Sequence, residues 1–541
     1  MLVPLLAAAA VLALSFSYSK LRYIRFRQYA HFPQLPNSLV LGHLKVFGEF
    51  IKRNKPNAHE DLAIVAMNRA LGRPPLMLID MRPISKPIVV VGDYEIADQL
   101  TKASKLFPTS PPKSASSVER LLHLNGPTSI LFQHGEEWRR LRKKFNPGFA
   151  PQYLVTFVPD IVEKGMIFLE RLDAFCKTGD AFPLMALTTR LTFDVIGKVV
   201  METDLDGQYD DKTKKGEIVD LFETLLDAYN GDRGNLPWWL NIRNVKRRSA
   251  LANRIASLLR TIVYRKHVEL HEKGAATTTS NPRSVLSLGL RDIETLTPSV
   301  ADEISDQLRT FLFAGHDTTS ILLSWAFYEL SRTPHALRTI RAELDDLLGR
   351  DASPAAVRAR LLEQEDLVQR MPFVSAVIKE TLRLHPPGGT AREIPAGSGF
   401  AVRTPDGEQR CLDGLLVYNC QSIIHRDPRV FGDTAEDFVP ERWLDDDAKI
   451  PPGAWRPFER GPRNCIGLEL ANVEARVILA LAVRRYDFVK VGLGEVVLGE
   501  DGRPSLDSAK AQYKVAEELY TTRQVTSKPV DGMMMKVRLA K

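Results

Sequence analysis

The sequence predicts a mainly helical protein with a minor β part, arranged as a single large domain behind an N-terminal transmembrane helix. Three observations predict this fold class: an uncharged apolar start, long helical patterns through the middle of the chain, and short strand-like runs on either side of them. The 541 residues could form several domains, but no long linker or internal repeat divides them. With 44% hydrophobic and 26% charged residues, the composition excludes a disordered or fibrous chain.

Residues 1–19 are predicted to form a transmembrane anchor, because they carry no charged side chain and include the apolar run Leu2–Leu14. At about 1.5 Å per residue, this helix approaches the ~30 Å thickness of the hydrocarbon core. Positive charges follow the run, whereas a cleaved signal peptide carries them in front of it. A cleaved peptide and a helix lying in the membrane interface are the alternatives. The charges that follow also predict a cytosolic body. They are Lys20, Arg22, Arg25 and Arg27.

Residues 20–45 are predicted to link the anchor to the body, which occupies residues 46–541. The basic residues of this link act as a stop-transfer signal, and Pro33 and Pro36 make a stiff hinge. In the body, short strands are predicted in Leu76–Val91, Ala401–Val417 and Gly532–Leu539. Helical patterns cover Glu136–Phe145, Leu154–Cys176, Leu251–Lys273, Pro298–Ser331 and Pro354–Leu384.

Charge and cysteine content exclude several classes of function. Four cysteines without a C-x-x-C pair exclude a disulfide scaffold and argue against a structural zinc site. The net charge of +7 is modest for this length, and a membrane-facing or partner-facing basic patch explains it without nucleic acid. The chain has no P-loop and no G-x-G-x-x-G after a strand, so we expect it to bind no nucleotide or flavin itself.

Cys465 is the main candidate for chemistry, because it lies between Gly461 and Gly467, just before the predicted helix Leu468–Ala482. A cysteine at a helix N-terminus faces free backbone N–H groups and the positive end of the helix dipole, which favours the thiolate. The two glycines permit a tight backbone path and the close approach of something flat or bulky. An inert buried cysteine is the alternative interpretation.

The surrounding pattern F-x-x-G-x-R-x-C-x-G, which includes Phe458 and Arg463, resembles the haem-ligand loop of the cytochrome P450 haem-thiolate monooxygenases. This resemblance implies one P450-type domain in which Cys465 is the axial thiolate ligand of haem b, and thus the metal ligand. It also implies haem-binding roles for the other residues of the motif. These are Phe458, Gly461, Arg463 and Gly467.

A second motif, Ala314–Ser320, lies in the middle of the predicted helix Pro298–Ser331. Polar Asp317 and Thr318 are costly inside an apolar helix unless they bond to something, and a helix kink is the alternative explanation. The motif is similar to the family's A-G-x-[DE]-T-[TS]. By this resemblance Asp317 and Thr318 are the catalytic acid and alcohol that relay protons to dioxygen. The resemblance also places Ala314 and Gly315 along the oxygen groove.

Two further motifs match the family in order along the chain. Glu380-x-x-Arg383 and the later P-E-R that contains Arg442 resemble a buried Glu–Arg–Arg network that supports the haem loop, although the i, i+3 spacing alone indicates only a surface pair. Trp138-x-x-x-Arg142 resembles a motif that binds a haem propionate, which suits an indole N–H and a guanidinium. Arg392 matches a third propionate-binding position.

Substrate-facing segments are expected by analogy to the family. Pro237–Leu240 contains two adjacent tryptophans, which are typical of a membrane-interface belt. The expected segments are Phe107–Ile130, Leu226–Leu240, Phe311–Ala314, Pro387–Arg392 and the tail near Met533–Met535.

The resemblance, which is greatest to fungal microsomal members of secondary metabolism, predicts an endoplasmic-reticulum monooxygenase facing the cytosol. It would insert one oxygen atom from O₂ into a lipophilic small molecule such as a polyketide or terpenoid. Electrons would come from a separate NADPH–cytochrome P450 reductase carrying FAD and FMN, with cytochrome b5 as a second donor. The alternatives are an O₂-independent isomerase or dehydratase on the same fold, and a non-catalytic haem-binding protein.

Overall fold

The computed structural model describes residues 2–209, 215–230, 241–273, 284–364, 366–445, 449–522 and 524–540. Pro237–Leu240, predicted to contact the membrane, lies outside the described residues. Helices dominate the described chain and short strands form a minor part, which confirms the predicted fold class. The helices are α1 (Leu2–Phe26), α2 (Leu44–Arg53), α3 (Glu60–Ala70), α4 (Tyr94–Thr101), α5 (Ala115–Asn125), α6 (Gly135–Phe145), α7 (Pro151–Leu154), α8 (Val158–Thr178), α9 (Leu184–Met201), α10 (Glu217–Asn230), α11 (Ile242–Lys273), α12 (Val285–Leu290), α13 (Pro298–Arg332), α14 (Pro334–Leu348), α15 (Pro354–Glu363), α16 (Pro372–Leu384), α17 (Gln421–Ile424), α18 (Pro428–Phe431) and α19 (Leu468–Ala482).

The long helix α13 runs through the main hydrophobic core and packs mainly against α9 and α11. Pro298 occupies its first turn, and the Thr297 hydroxyl accepts a hydrogen bond from the Val300 N–H over 3.4 Å. The helix ends at Arg332, just before Pro334. These boundaries confirm the helix predicted over Pro298–Ser331.

The stretch Pro354–Leu384, predicted as one helical run, is two helices. α15 ends at Glu363, and α16 begins at Pro372 after a 3₁₀ turn at Leu367–Gln369. The proline fixes the break, because it disfavours helical geometry at the preceding Met371, which has φ −115° and ψ 73°. The second helix, α16, is thus separate from α15, and its residues Glu380 and Arg383 are buried in the core.

The strands form small sheets at the edges of the helical body. The strands are β1 (Leu76–Ile79), β2 (Ile88–Val91), β3 (Phe182–Pro183), β4 (Thr390–Glu393), β5 (Ala401–Arg403), β6 (Gln409–Cys411), β7 (Leu416–Asn419), β8 (Tyr486–Lys490), β9 (Leu506–Asp507), β10 (Gln512–Tyr513) and β11 (Met534–Leu539). A four-stranded sheet has the order β1-β2-β7-β4, in which β2 and β7 are parallel. A three-stranded sheet has the order β3-β11-β8, and β5-β6 and β9-β10 are two-stranded. The predicted strands in Leu76–Val91 are β1 and β2, paired antiparallel.

Helix α1 projects from the body and continues past the predicted anchor boundary at residue 19. Within it, Val3–Phe26 is long and apolar enough to cross a membrane, with a mean hydropathy of 1.5, and its most apolar 18 residues are not buried in the protein. Arg25, near its end, is clamped by the body: its guanidinium donates to Asp80 Oδ2 over 2.7 Å and to the Val40 carbonyl over 2.7 Å. The helix is therefore fastened to the β1–β2 region as well as joined to the chain.

Candidate functional site

The loop from Pro457 to Gly467 presents Cys465 to a cavity inside the protein. The Cys465 N–H donates to the Phe458 carbonyl over 2.8 Å, which closes the loop into a tight turn. Gly461 has φ 78°, and a Cβ at this position would lie 2.1 Å from the Thr101 carbonyl oxygen, so only glycine fits. The Cys465 side chain is exposed, and the surface that it reaches is the wall of the cavity.

The Cys465 thiol lies at the N-terminal end of α19, where Gly467 occupies the cap position. Burial raises the pKa of Cys465, whereas the Gly467 N–H and the Arg142 guanidinium act to lower it. In the protein alone, burial thus outweighs the expected preference for thiolate. A metal cation at the sulfur would reverse this balance, because a coordinating thiol loses its proton.

The cavity beside Cys465, here called the Cys465 cavity, has a volume of about 400 Å³. This size is within the range of small-molecule sites. Apolar side chains of α13, including Phe311 and Phe313, line it together with Pro387 after α16. The predicted site residues that the structure brings together around it are Trp138, Arg142, Ala314, Thr318, Arg392, Phe458, Arg463 and Cys465.

Cations converge on this cavity from separate segments. Arg463 donates to the Ile130 and Leu131 carbonyls over 3.1 and 3.2 Å, and its guanidinium lies 5.1 Å from the centre of the Trp138 ring. Arg142 donates to the Asn464 carbonyl over 2.8 Å, which ties α6 to the Cys465 loop. All of these acceptors are neutral. The cations that line the cavity are Lys113, Arg142, Arg392 and Arg463.

In the part of the chain that the structure describes, the cations of the cavity wall outnumber its carboxylates. The carboxylate among these lining residues is Glu459, and it pairs with Arg456 over 2.8 Å. Arg392 is buried, and its Nε has no hydrogen-bond partner among the described residues. Burial lowers the pKa of Arg392 to about 10, and burial together with repulsion from Arg392 and Arg142 lowers that of Arg463 to about 9. An anionic ligand would relieve this unfavourable burial of positive charge.

Lys113 is a cavity residue that sequence reasoning missed. Burial lowers its pKa well below the usual value, and repulsion from Arg392 and Arg463 adds to the effect. The same surroundings act on His134, which lies 3.2 Å from Arg463 and whose pKa falls to about 4 through burial and the nearby cations. Lys113 follows a Pro-Pro pair inside an expected substrate segment, and no local pattern distinguishes it from a surface lysine.

The structure separates the residues of the α13 motif. Ala314 and Thr318 line the Cys465 cavity, and the Thr318 hydroxyl donates to the Ala314 carbonyl over 2.8 Å. Gly315 faces α9 instead, since a Cβ there would lie 2.6 Å from Ile196 Cδ1. Asp317 is also turned away: its side chain is fully buried and pairs with Lys528 over 2.6 Å. The motif thus serves helix packing on one side and the cavity on the other.

Some of the expected substrate-facing segments line the Cys465 cavity and others do not. Residues from Phe107–Ile130, Phe311–Ala314 and Pro387–Arg392 line the Cys465 cavity. The C-terminal tail contributes Val525 and Thr526, not Met533–Met535, whose first and last residues are buried in the core around β11. Of Leu226–Leu240, residues 231–240 lie outside the described residues.

The predicted Glu–Arg–Arg network is present at the end of α16. Both oxygens of the buried Glu380 accept from Arg383 over 2.8 Å, and Oε1 also accepts from Arg442 over 3.1 Å. The Trp443 indole N–H donates to Oε2 over 2.9 Å, a partner that the motif does not predict. Arg383 further donates to the His425 carbonyl over 2.9 Å. The spacing that alone indicates a surface pair thus forms a buried junction between α16 and the segment before the Cys465 loop.

Comparisons with known proteins agree with this architecture. The sequence profile described as Cytochrome P450 matches residues 44–506. A cytochrome P450 monooxygenase of Aspergillus aculeatus, acrF, is 29% identical over 88% of this chain and 97% of its own length. A bifunctional cytochrome P450/NADPH–P450 reductase of Aspergillus oryzae is 30% identical over 65% of this chain and 31% of its own length. The crystal structure of a cytochrome P450DA heme domain superposes with a TM-score of 0.71 at 20% identity, covering 94% of this chain and 98% of that one.

Fold, cavity and comparisons together define an oxidoreductase that uses a haem-iron cofactor. The chain belongs to the cytochrome P450 family, and it is a cytochrome P450 monooxygenase. The residues present fit the cofactor, because the cavity offers one sulfur donor, apolar walls and a set of unneutralised cations for a dianionic edge.

Proposed function

We propose that this chain binds haem b in the Cys465 cavity with the Cys465 thiolate as axial ligand, and hydroxylates or similarly oxidises a lipophilic small molecule. The observation that carries the proposal is a cysteine that faces a cavity whose lining cations have no carboxylate partner among the described residues. A sulfur ligand and an anion-binding edge in one apolar chamber are what a haem with a thiolate axial ligand requires.

The proposed roles follow from the position of each side chain. Lys113, Arg142, Arg392 and Arg463, with the Trp138 indole, bind the haem propionates. Phe458 shields the sulfur from water, which keeps the thiolate electron-rich. Gly461 and Gly467 keep the loop compact, so that Cys465 can approach the iron.

The bound haem supplies the activation of O₂, which the protein's own side chains cannot perform. On the α13 side, Ala314 leaves space and the Thr318 hydroxyl holds a proton at Oγ1, where it donates to the Ala314 carbonyl in the resting protein. Asp317 is the acid that supplies that hydroxyl, in accord with its place in the motif. Phe311 and Phe313 orient the substrate and exclude water from the cavity.

The substrate is proposed to be a lipophilic small molecule, in the class of polyketides or terpenoids. The apolar lining of the Cys465 cavity supports a lipophilic ligand, and the likeness to fungal monooxygenases supports a secondary metabolite. Electrons are proposed to come from NADPH through a separate FAD- and FMN-containing reductase, with cytochrome b5 as a further donor. The fused reductase of the Aspergillus oryzae relative supports this type of partner.

The chain is proposed to be a single-pass protein of the endoplasmic reticulum with its catalytic domain in the cytosol. Residues 1–19 would be the anchor, 20–45 the stop-transfer segment and hinge, and 46–541 the catalytic domain. The apolar helix α1 and the basic residues at its C-terminal end support this arrangement.

The test is the absorption spectrum of the membrane-expressed protein, reduced and exposed to carbon monoxide. We expect the strongly red-shifted band of a thiolate-ligated haem, and we expect Cys465→Ala to abolish it. Cys411→Ala is the matched control, because Cys411 is exposed on β6 and does not line the Cys465 cavity. A thiolate-type band that survives in Cys465→Ala would refute the ligand assignment.

A further inference from the structure

Asp317 and Thr318 are adjacent in α13 but border different cavities. Thr318 lines the Cys465 cavity, whereas Asp317 lines a second cavity of about 310 Å³ between α9, α10 and the C-terminal tail. We call this second space the tail cavity. Its lining includes Asp227, which is exposed, and Lys528, whose side chain is 17% exposed, whereas the Asp317 side chain itself has no exposed surface.

The C-terminal tail supplies the partners of the buried Asp317 carboxylate. Lys528 Nζ lies 2.6 Å from Asp317 Oδ1, and the Thr526 hydroxyl donates to Oδ2. His316 faces the same carboxylate, with its Nε2 3.9 Å from Oδ1, while its Nδ1–H donates to the Leu312 carbonyl. Burial raises the pKa of Asp317, but Lys528, His316 and Thr526 together hold it below the usual value.

His316 does not compensate for Lys528 as a source of positive charge. Its ring is fully buried and stacks on Phe193 with centroids 3.6 Å apart. Burial lowers the pKa of His316 to about 4, so the ring is neutral at physiological pH. The ammonium of Lys528 is therefore the counter-charge of Asp317.

One turn of the tail carries both partners and also contacts the Cys465 cavity. An isolated β-bridge joins Thr521 to Pro529, and the Thr522 N–H donates to the Lys528 carbonyl over 2.7 Å. At the tip of this turn, Val525 and Thr526 line both cavities. The turn that lines the Cys465 cavity is thus the one that holds the Asp317 carboxylate.

We propose that Lys528 is a positioning residue for proton delivery: with Thr526 it holds Asp317 ionised at the junction of the two cavities, and protons enter the site from the tail cavity. This inference rests on the proposed function. Asp317 accepts a proton that enters from the tail cavity past Lys528 and becomes a carboxylic acid. It returns to carboxylate by giving a proton to Thr318 Oγ1, and Thr318 at the same time releases its own hydroxyl proton into the Cys465 cavity. Lys528 keeps its charge throughout, so the net movement is one proton from solvent to the Cys465 cavity.

The direct test is infrared difference spectroscopy of the haem-loaded protein, with Asp317→Asn as the reference that identifies the Asp317 band. In the unsubstituted protein at pH 7 we expect no carboxylic acid C=O band from Asp317. Lys528→Met leaves the carboxylate buried without a counter-charge, so the band should appear and titrate away as the pH is raised. Lys528→Arg should restore the ionised state. Absence of the band in Lys528→Met would overturn the proposal.

Lys490→Met is the matched control, because Lys490 also forms a buried ion pair near the tail, 2.6 Å from Asp531, but does not contact Asp317. It should destabilise the fold without producing the Asp317 band, and an equal band in this variant would also overturn the proposal. If Lys528→Met does not fold, Thr526→Val, which removes one hydrogen bond and no charge, should shift the Asp317 titration upward to a smaller extent.

Turnover gives a second readout. With a purified NADPH-dependent reductase, NADPH oxidation by Lys528→Met should fall by roughly tenfold or more, and Lys528→Arg should recover most of the rate. The carbon monoxide spectrum of Lys528→Met should remain of the thiolate type. The two proposals can therefore fail separately. Absence of the thiolate spectrum in the unsubstituted protein refutes the proposed function. An intact spectrum together with an unchanged Asp317 titration in Lys528→Met refutes the role of Lys528.

Discussion

Two clusters of buried and half-buried arginines in this protein differ in what their guanidinium groups face. Around Glu380, Arg383 and Arg442 share one carboxylate and fill their remaining donors with backbone carbonyls. Among the described residues around the Cys465 cavity, Arg463 faces only neutral acceptors, and the Nε of Arg392 has no hydrogen-bond partner. The first cluster has its carboxylate within the chain, whereas for the second we propose an external anion. Whether an arginine has a carboxylate partner within the chain therefore distinguishes a structural arginine from one in the candidate site, although the residue type is the same.

Glu380→Gln should have the largest effect on stability. It removes the negative charge from a fully buried group that serves two arginines, so we expect a loss of about 3–5 kcal/mol and loss of haem. Thermal unfolding and haem content measure the two effects. Glu217→Gln is the control, because its pair with Arg254 is exposed, and it should leave both unchanged. A stable, haem-loaded Glu380→Gln protein would contradict the structural role.

Arg392→Met should separate the two clusters most sharply. It removes a buried cation whose Nε has no hydrogen-bond partner among the described residues and whose Nη1 donates only to the neutral Ala391 carbonyl, so we expect the haem-free protein to be as stable as before or more so. Haem affinity should fall by about tenfold, because one propionate loses a charge-assisted hydrogen bond. The measurements are unfolding of the haem-free protein and the rate of haem transfer to an apoprotein acceptor. Destabilisation like that of Glu380→Gln would place Arg392 in the scaffold.

A smaller effect is expected from pH through His134. Burial and neighbouring cations lower its folded-state pKa to about 4, below the ordinary value of 6.5. Between these values the unfolded chain binds more protons, so stability of the haem-free protein should fall as the pH drops from about 6.5 towards 4. His134→Asn should flatten this dependence. Bound haem propionates should neutralise the neighbouring cations and so weaken the pH dependence of stability. If stability changes with pH equally in the haem-free and the haem-loaded protein, the propionates do not lie beside these cations.

The local part of the site could be predicted from the sequence, and its long-range part could not. The residues Cys465, Gly461 and Arg463 lie within one loop, so their spacing alone predicts that they act together. Lys113 and Lys528 reach the site from distant segments, and nothing in their neighbours distinguishes them from surface lysines. Long-range packing decides which lysine is buried, and periodicity does not report it.

The fold shows the same division. The helix around the α13 motif was predicted from its N-terminal Thr297-Pro298 and its length, both of which are local signals. The orientation of Asp317 was not, because adjacent residues on a helix point about 100° apart and the tertiary contacts choose between them. The break between α15 and α16 does have a local signal in Pro372, and the apolar periodicity on either side concealed it.

The contacts of Arg25 fix the rotation of helix α1 relative to the body of the protein. The Arg25 guanidinium at the end of α1 is held by Asp80 and by carbonyls of the body, so the helix cannot rotate about its axis independently of the domain. Each residue inserted into α1 ahead of Arg25 would turn its outer portion by about 100° and lift it by about 1.5 Å relative to the domain. The orientation of the domain relative to a bilayer would then depend on the number of residues in α1, because the clamp prevents free rotation between helix and domain.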